Sequence, residues 1–267
     1  MMVSSDFRLE ARRKLSGKWG KVACITLAYL AVFLIIGVIL GLISGILSFS
    51  EESTKSFSQL VNLVIEVPLA FGLIISLYKV YNSEDVKAFD FFSLGFQNFK
   101  KSWGISLRIV LKLIVPLILI IVSILLIAFG SAATILSSGI SAITDSHASG
   151  SIVFSSFITL IGAILYLISI IWFTIKSYYY QLAYVVSADQ PNLTSKEVVN
   201  RSEEMMKGNR GKLFCLQFSF IGWAILAVLT IGIGYLWLLP YIQFATFAFY
   251  SFLSGKGNNV EVAEDNH

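Results

Sequence analysis

Glu66 is the one carboxylate inside an otherwise apolar run, Leu60 to Tyr81, and it stands two residues before Pro68. A carboxylate at membrane depth is costly to keep charged, so it marks a proton site, a bound cation or a polar partner. Pro68 adds an acceptor nearby, because its missing N–H releases a backbone carbonyl one turn earlier. Glu66 is therefore the candidate ligand or proton site, with a shallow structural acid as the alternative. Arg108 and Lys112 are four apart, on one face of the third apolar block and near its start. Their stems are long enough to carry the charge to the membrane surface, so both read as lipid-interface anchors. At ~1.5 Å per helical residue, Glu66 and Lys112 lie about 10 Å or more apart in depth, and no direct pair is expected.

The remaining chemical inventory is small. The two histidines are His147, in a small polar loop, and His267, at the terminus. No His, Cys and carboxylate set has metal-ligand spacing, and neither a nucleophile elbow nor a paired-acid motif occurs. Gly208-Asn209-Arg210-Gly211-Lys212 has a loose likeness to a phosphate-binding loop, but the spacing is wrong and Leu213 stands where Ser or Thr is needed. Asn192-Leu193-Thr194 is a glycosylation tripeptide placed on the cytoplasmic side. The two cysteines, Cys24 and Cys215, exclude a disulfide framework by count and are expected buried and reduced. The expectation is a protein that is not an enzyme, with no cofactor and no metal.

The elements that must hold these residues are membrane helices. The chain of 267 residues is 56% hydrophobic and 13% charged, with a mean hydropathy of +0.79. A soluble domain carries roughly 25% charged residues. Six apolar blocks are expected as spans, at about 22–47, 60–81, 104–136, 152–176, 213–230 and 235–253, in one membrane domain covering 1–254. The first is too long for a signal-peptide core and reads as a retained helix. Of the 20 Lys and Arg, all but Lys55 fall at the N-terminus, in alternate loops or at the span ends that adjoin them. The positive-inside rule then puts both termini in the cytoplasm and the outer loops near 48–59, 137–151 and 230–235. The net charge of +4 belongs to this orientation, and no nucleic-acid partner is expected. Residues 255–267 are polar and acidic and read as a disordered cytoplasmic tail.

Short amphipathic segments precede the odd-numbered spans. Phe7, Ala11, Leu15 and Trp19 recur every four residues on one helical face, and Arg8, Arg12, Arg13, Lys14 and Lys18 cover the rest. Residues 1–21 thus form a basic interfacial helix, apolar side toward lipid, with these bases and Trp19 as anchors. Lys18-Trp19-Gly20-Lys21, Ser102-Trp103-Gly104-Ile105 and Asn209-Arg210-Gly211-Lys212 occupy equivalent places, so the all-α architecture reads as three helical hairpins with cytoplasmic interfacial helices. Thr194-Ser195-Lys196-Glu197 fits a capping box. Val198, Val199, Ser202, Met205 and Met206 then line one side of a short helix that stops at Gly208.

Several segments resemble one bacterial membrane family. They are Phe7-Arg8-Leu9-Glu10-Ala11-Arg12, Trp19-Gly20, Ser202 to Gly208, Leu213-Phe214, Ser219-Phe220-Ile221-Gly222-Trp223, Thr230-Ile231-Gly232-Ile233-Gly234 and Trp237-Leu238-Leu239-Pro240-Tyr241. The family is domain of unknown function 975 (DUF975). The resemblance implies a six-helix protein of the bacterial cytoplasmic membrane and carries no reaction or ligand with it. With no catalytic set, the leading expectation is a protein that binds membrane lipids, a peptide or a membrane-protein partner, in envelope maintenance or peptide tolerance. The alternative is a small transporter or channel subunit using Glu66.

Overall fold

The computed structural model describes residues 3–46, 51–144 and 149–256, and every regular element among them is helical. The chain divides into two compact units, Met1–Arg108 with Tyr179–His267, and Ile109–Tyr178. Six stretches of helix are long and apolar enough to cross a membrane: Trp19–Ile46, Glu52–Tyr81, Ile114–Ile140, Gly150–Asp189, Arg210–Leu229 and Tyr235–Leu253.

In the first unit, α1 (Ser4–Leu15) starts with Asp6 reaching back to the Val3 N–H at 2.8 Å. It stops at Gly17, whose φ of +74° reverses the chain into α2 (Trp19–Ile46). α3 runs Glu51–Tyr81, nine residues earlier than the apolar pattern suggests. Its polar first turns suit a helix start, where Glu52 meets the positive end of the dipole. α4 (Asp90–Gln97) docks on α3 where Pro68 and Gly72 face Gly95. A Cβ on Gly72 would lie 1.9 Å from the Phe91 carbonyl oxygen, so the two backbones meet with no room for a side chain.

The expected third span is two helices. α5 (Phe99–Lys112) ends at Leu113, and α6 (Ile114–Thr144) carries Pro116 in its first turn. Proline has no N–H for the Lys112 carbonyl and its ring crowds that turn, so the break falls just before it.

The second unit is built from the Leu113–Pro116 step, α6 and α7 (Ser149–Ser177). Gly130 lies against Thr159 and Ser155, and Gly162 against Ile127 and Leu126. Ser123, Ser155 and Ser169 are buried there, returning their hydroxyls to carbonyls of their own helices, and Ser155 also bonds Thr134 at 2.8 Å. These serines act as packing residues that let helix backbones come close.

Past α7 the chain tightens into a 3-10 turn, Tyr178–Tyr180, and continues as α8 (Ala183–Asp189). α9 (Ser195–Met206) has the expected capping box. The Thr194 N–H donates to Glu197 Oε2 at 2.8 Å, and the Glu197 N–H donates to Thr194 Oγ1 at 3.4 Å. Val198, Val199, Ser202 and Met206 are buried, and Ser202 donates to the Tyr179 carbonyl at 2.8 Å. The expected fifth span is α10 (Arg210–Phe218) and α11 (Ile221–Leu229). Between them Ser219 Oγ bonds the Leu216 carbonyl at 2.6 Å, a back-bond that competes with the helical ladder. The turn 230–234 leads to α12 (Tyr235–Leu253), whose residues from Phe244 to Tyr250 are all buried.

Two expectations are corrected. Cys24 and Cys215 are exposed on α2 and α10 rather than buried. The apolar face of α1 is not open to lipid: Phe7, Ala11 and Leu15 are buried, with the Phe7 ring edge-on to Phe249 and Phe252 of α12 at 5.3 and 5.7 Å. A short helix with five adjacent bases gains more from a matching aromatic surface than from floating alone at the interface, since a buried Phe contributes roughly 1.5–3 kcal/mol. His147, His267 and the tail from 257 lie outside the described residues.

Candidate functional site

A groove of about 550 Å³ opens in the first unit between α1, the start of α2 and the α11–α12 pair. Trp223, Leu226, Ala227 and Thr230 form one wall, and Gly234, Trp237, Leu238 and Tyr241 form the other. Each set has the spacing i, i+3, i+4, i+7, which places four side chains on one face of a helix. The turn between them is locked by Thr230, whose hydroxyl donates to the Ala227 carbonyl at 2.8 Å and accepts the Gly234 N–H at 2.9 Å. Ile231 has φ +55° and Gly232 φ +84° in this turn, and the Ile231 side chain is 94% exposed.

Among the described residues, the groove has a single charged lining residue. Arg12 Nε donates to the Tyr241 hydroxyl at 2.9 Å, and that hydroxyl donates to the Arg8 carbonyl at 3.4 Å. The phenol ring is held edge-on by Phe220 at 5.0 Å and Trp19 at 6.0 Å. The bond uses Nε alone, so the two Nη groups of Arg12 have no protein acceptor among the described residues. No described carboxylate lines the groove. A guanidinium presenting two outward N–H groups can take an oxyanion in the bidentate manner, with apolar aromatic walls leading away from it.

The other expected anchors are distributed. Lys14 lies over the Tyr81 ring at 5.4 Å, and Arg13 pairs with Glu10 at 2.9 Å. Lys18 donates to the Val80 carbonyl at 3.0 Å and to Ser83 Oγ at 2.9 Å, closing the C-terminus of α3, where a cation suits the helix dipole. Burial, with Lys14 and Lys21 adjacent, pulls the Lys18 pKa below its ordinary value. Lys21 pairs with Asp85, whose carboxyl is held below the usual range by that lysine. Arg108 and Lys112 are both exposed on α5. Only Arg12 and Trp19 of the expected residues meet in the groove.

Glu66 is exposed on α3, makes no ion pair among the described residues and does not line the groove. The acceptor freed by Pro68 is used by another residue: Trp103 Nε1 donates to the Val64 carbonyl at 3.4 Å.

A second polar cluster was not expected from the sequence. Asp189, at the end of α8, accepts from the Tyr78 hydroxyl at 2.6 Å, from the Tyr250 hydroxyl at 2.8 Å and from Lys256 through both carboxylate oxygens. Its side chain is only 6% exposed. Nothing local marks Asp189, because its partners lie 111, 61 and 67 residues away. The groove stripes of α11 and α12 are visible as helical repeats of Trp, Leu and small residues, but two apolar stripes do not announce that Arg12 closes one end.

No curated protein and no solved structure matches the chain. A family model described as "Protein of unknown function (DUF975)" matches residues 1–256, nearly the whole chain, and the protein belongs to that family.

Proposed function

We propose that this is a multi-pass membrane protein without catalytic activity that binds a membrane-embedded amphiphile in the Arg12 groove. The groove carries the reading: one unpaired guanidinium edge beside aromatic walls is a shape for a molecule with an anionic head and an apolar body. Both termini are cytoplasmic in this reading, because Lys and Arg cluster on that side of the spans and α1 stands there with its bases. The helices pair as three hairpins, α2–α3, α6–α7 and α10/α11–α12, with α1, α4 and α9 at the cytoplasmic surface. Envelope maintenance or tolerance to membrane-active peptides suits such a binder.

A transporter using Glu66 has less support, since that carboxylate sits outside the groove and on an exposed face. The test is photocrosslinking of full-length protein in vesicles with a diazirine-bearing fatty acyl probe. Adducts concentrated on peptides containing Trp223 and Trp237 are expected. Adducts spread evenly over α2, α6, α7 and α11 would show that no groove-bound amphiphile exists.

A further inference from the structure

We propose that the groove seats one anionic phospholipid drawn from the leaflet that faces α1, with the phosphate on the Arg12 guanidinium and one acyl chain along Trp223 and Trp237. This rests on the amphiphile-binding reading and adds the headgroup, its charge and the leaflet of origin.

Elimination gives the charge of the headgroup. Among the described residues, the sole charged one in the lining is Arg12, and its Nη groups face no protein acceptor there. Arg12 is exposed, so a headgroup without an anionic oxygen offers its guanidinium nothing better than water, a zwitterionic one brings a further cation among the bases of α1, and a basic peptide is repelled. A phosphodiester supplies two oxygens for two N–H groups. Tyr241 prepares the site by accepting from Nε, which fixes the plane of the guanidinium and leaves the Nη edge outward.

The leaflet follows from distance. Thr230 and Gly234, at the α11–α12 turn, share the groove with Arg12. Gly234 and Tyr241 are seven residues apart on α12, about 10 Å along its axis. A bilayer hydrocarbon core is ~30 Å thick. Arg12 belongs to a helix that also bears Arg8, Arg13 and Lys14, with Lys18 just after it, and such a group of bases stays at the polar surface. The turn therefore reaches only part-way into the bilayer, and the groove is about as deep as one leaflet. The turn's composition agrees. Ile231 is 94% exposed, Ile233 60%, Leu229 72% and Val228 62%, an apolar tip suited to hydrocarbon. An acyl chain whose phosphate sits at Arg12 runs alongside the tip without crossing to the other leaflet.

The experiment uses full-length protein carrying Trp172→Phe, which removes a tryptophan outside the groove, in phosphatidylcholine vesicles. Phosphatidylglycerol with brominated acyl chains is added from about 1 to 20 mole percent and tryptophan quenching is followed, with brominated phosphatidylcholine as the zwitterionic arm, whose phosphodiester is offset by its own ammonium group, and inorganic phosphate as the headgroup alone. Saturable quenching by the anionic lipid is expected at several-fold lower mole fraction than by the neutral one. Arg12→Gln should remove about a fivefold preference and Arg12→Lys should retain part of it. Free phosphate should not displace the lipid, because the acyl chain contributes most of the contact. Equal quenching by both lipids overturns the proposal while leaving amphiphile binding intact if crosslinks still concentrate on α11 and α12. Displacement by millimolar phosphate would also overturn it, in favour of a simple oxyanion site. Should Arg12→Gln fail to fold, the two lipid arms on the Arg12-containing protein decide the matter alone.

Discussion

Trp103 donates its indole N–H to the carbonyl of Val64 at 3.4 Å, the oxygen that Pro68 leaves without its helical partner. The proline defect in α3 is thus met by a side chain from α5, and the two helices are tied at that height. The bond should be conditional on the proline. Trp103→Phe is expected to cost about 1 kcal/mol. In a Pro68→Ala background, where residue 68 regains an N–H for Val64, the same substitution should cost measurably less. A double-mutant cycle read by denaturant unfolding in detergent checks this, and additive costs would show that the indole does not serve the freed carbonyl.

Asp189 joins α3, α8, α12 and Lys256, three residues past the end of α12, by accepting two tyrosine hydroxyls and one ammonium group. Asparagine keeps one acceptor oxygen and puts an N–H donor where the other stood, so in Asp189→Asn one tyrosine hydroxyl must turn from donating to accepting and the Lys256 ammonium group loses its counter-charge. A loss of about 2 kcal/mol is expected, with Tyr78→Phe and Tyr250→Phe each costing less. Lys256→Gln should stay within about 0.5 kcal/mol, since Lys256 is 55% exposed and its pair is screened by water. Thermal unfolding of the four variants ranks them, and a Lys256 effect larger than the Asp189 effect would reverse this account.

Gly72 tolerates no side chain. Alanine there places Cβ 1.9 Å from the Phe91 carbonyl and 2.7 Å from the Gly95 nitrogen, both backbone atoms that cannot move aside alone. Gly72→Ala should cost about 3 kcal/mol and release α4. A Cβ on Gly37, in α2, would meet nothing within 4 Å, and Gly37→Ala should be neutral or slightly stabilising. Hydrogen exchange of α4 amides distinguishes the two, with faster exchange expected only in the first.

What the sequence showed and what it hid divide along the range of the interactions. The α11–α12 turn, the Thr194–Glu197 capping box and the stop at Gly208 depend on neighbours within about five residues in the chain, as caps and turns do, so they were readable. The apolar face of α1 was also visible, but a stripe of Phe7, Ala11 and Leu15 does not say whether lipid or Phe249 will cover it. Glu66 drew notice through its charge in an apolar run, a signal of cost that does not locate a partner. Arg12 meeting Tyr241, 229 residues later, has no local signature.

The cap on α9 should respond to acid. Hydrogen bonds from the Thr194 backbone, and then its side chain, hold the Glu197 carboxyl below its ordinary value. A depressed folded-state pKa contributes stability above the unfolded value, about 4.3, and loses it as pH falls through the folded value. Glu197→Gln keeps the shape and removes the charge. The protein with Glu197 should therefore exceed the Gln variant in stability at neutral pH, and the gap should close as the medium is acidified past the folded value. A gap that widens in acid would contradict the sign.

The depth of the α11–α12 turn can be read chemically. In a Cys24→Ser, Cys215→Ser background, Ser53→Cys should react with an impermeant maleimide on intact cells, and Ser195→Cys only after the cytoplasmic face is opened. Ile231→Cys separates a hairpin that crosses from one that stops part-way. The positive-inside pattern puts 230–235 outside only through the bases that flank the span pair, since the uncharged turn itself is neutral to that rule. The groove it shares with Arg12 puts the same turn within about 10 Å of a surface helix along α12. The expected result is slow labelling of Ile231→Cys from either side, and quenching of a fluorophore there by lipids brominated deep in the acyl chain. Labelling from outside at the rate of Ser53→Cys would mean the hairpin crosses completely. Arg12 would then lie in the bilayer interior with its charge unpaired, and the groove would need an anion merely to keep α1 in place.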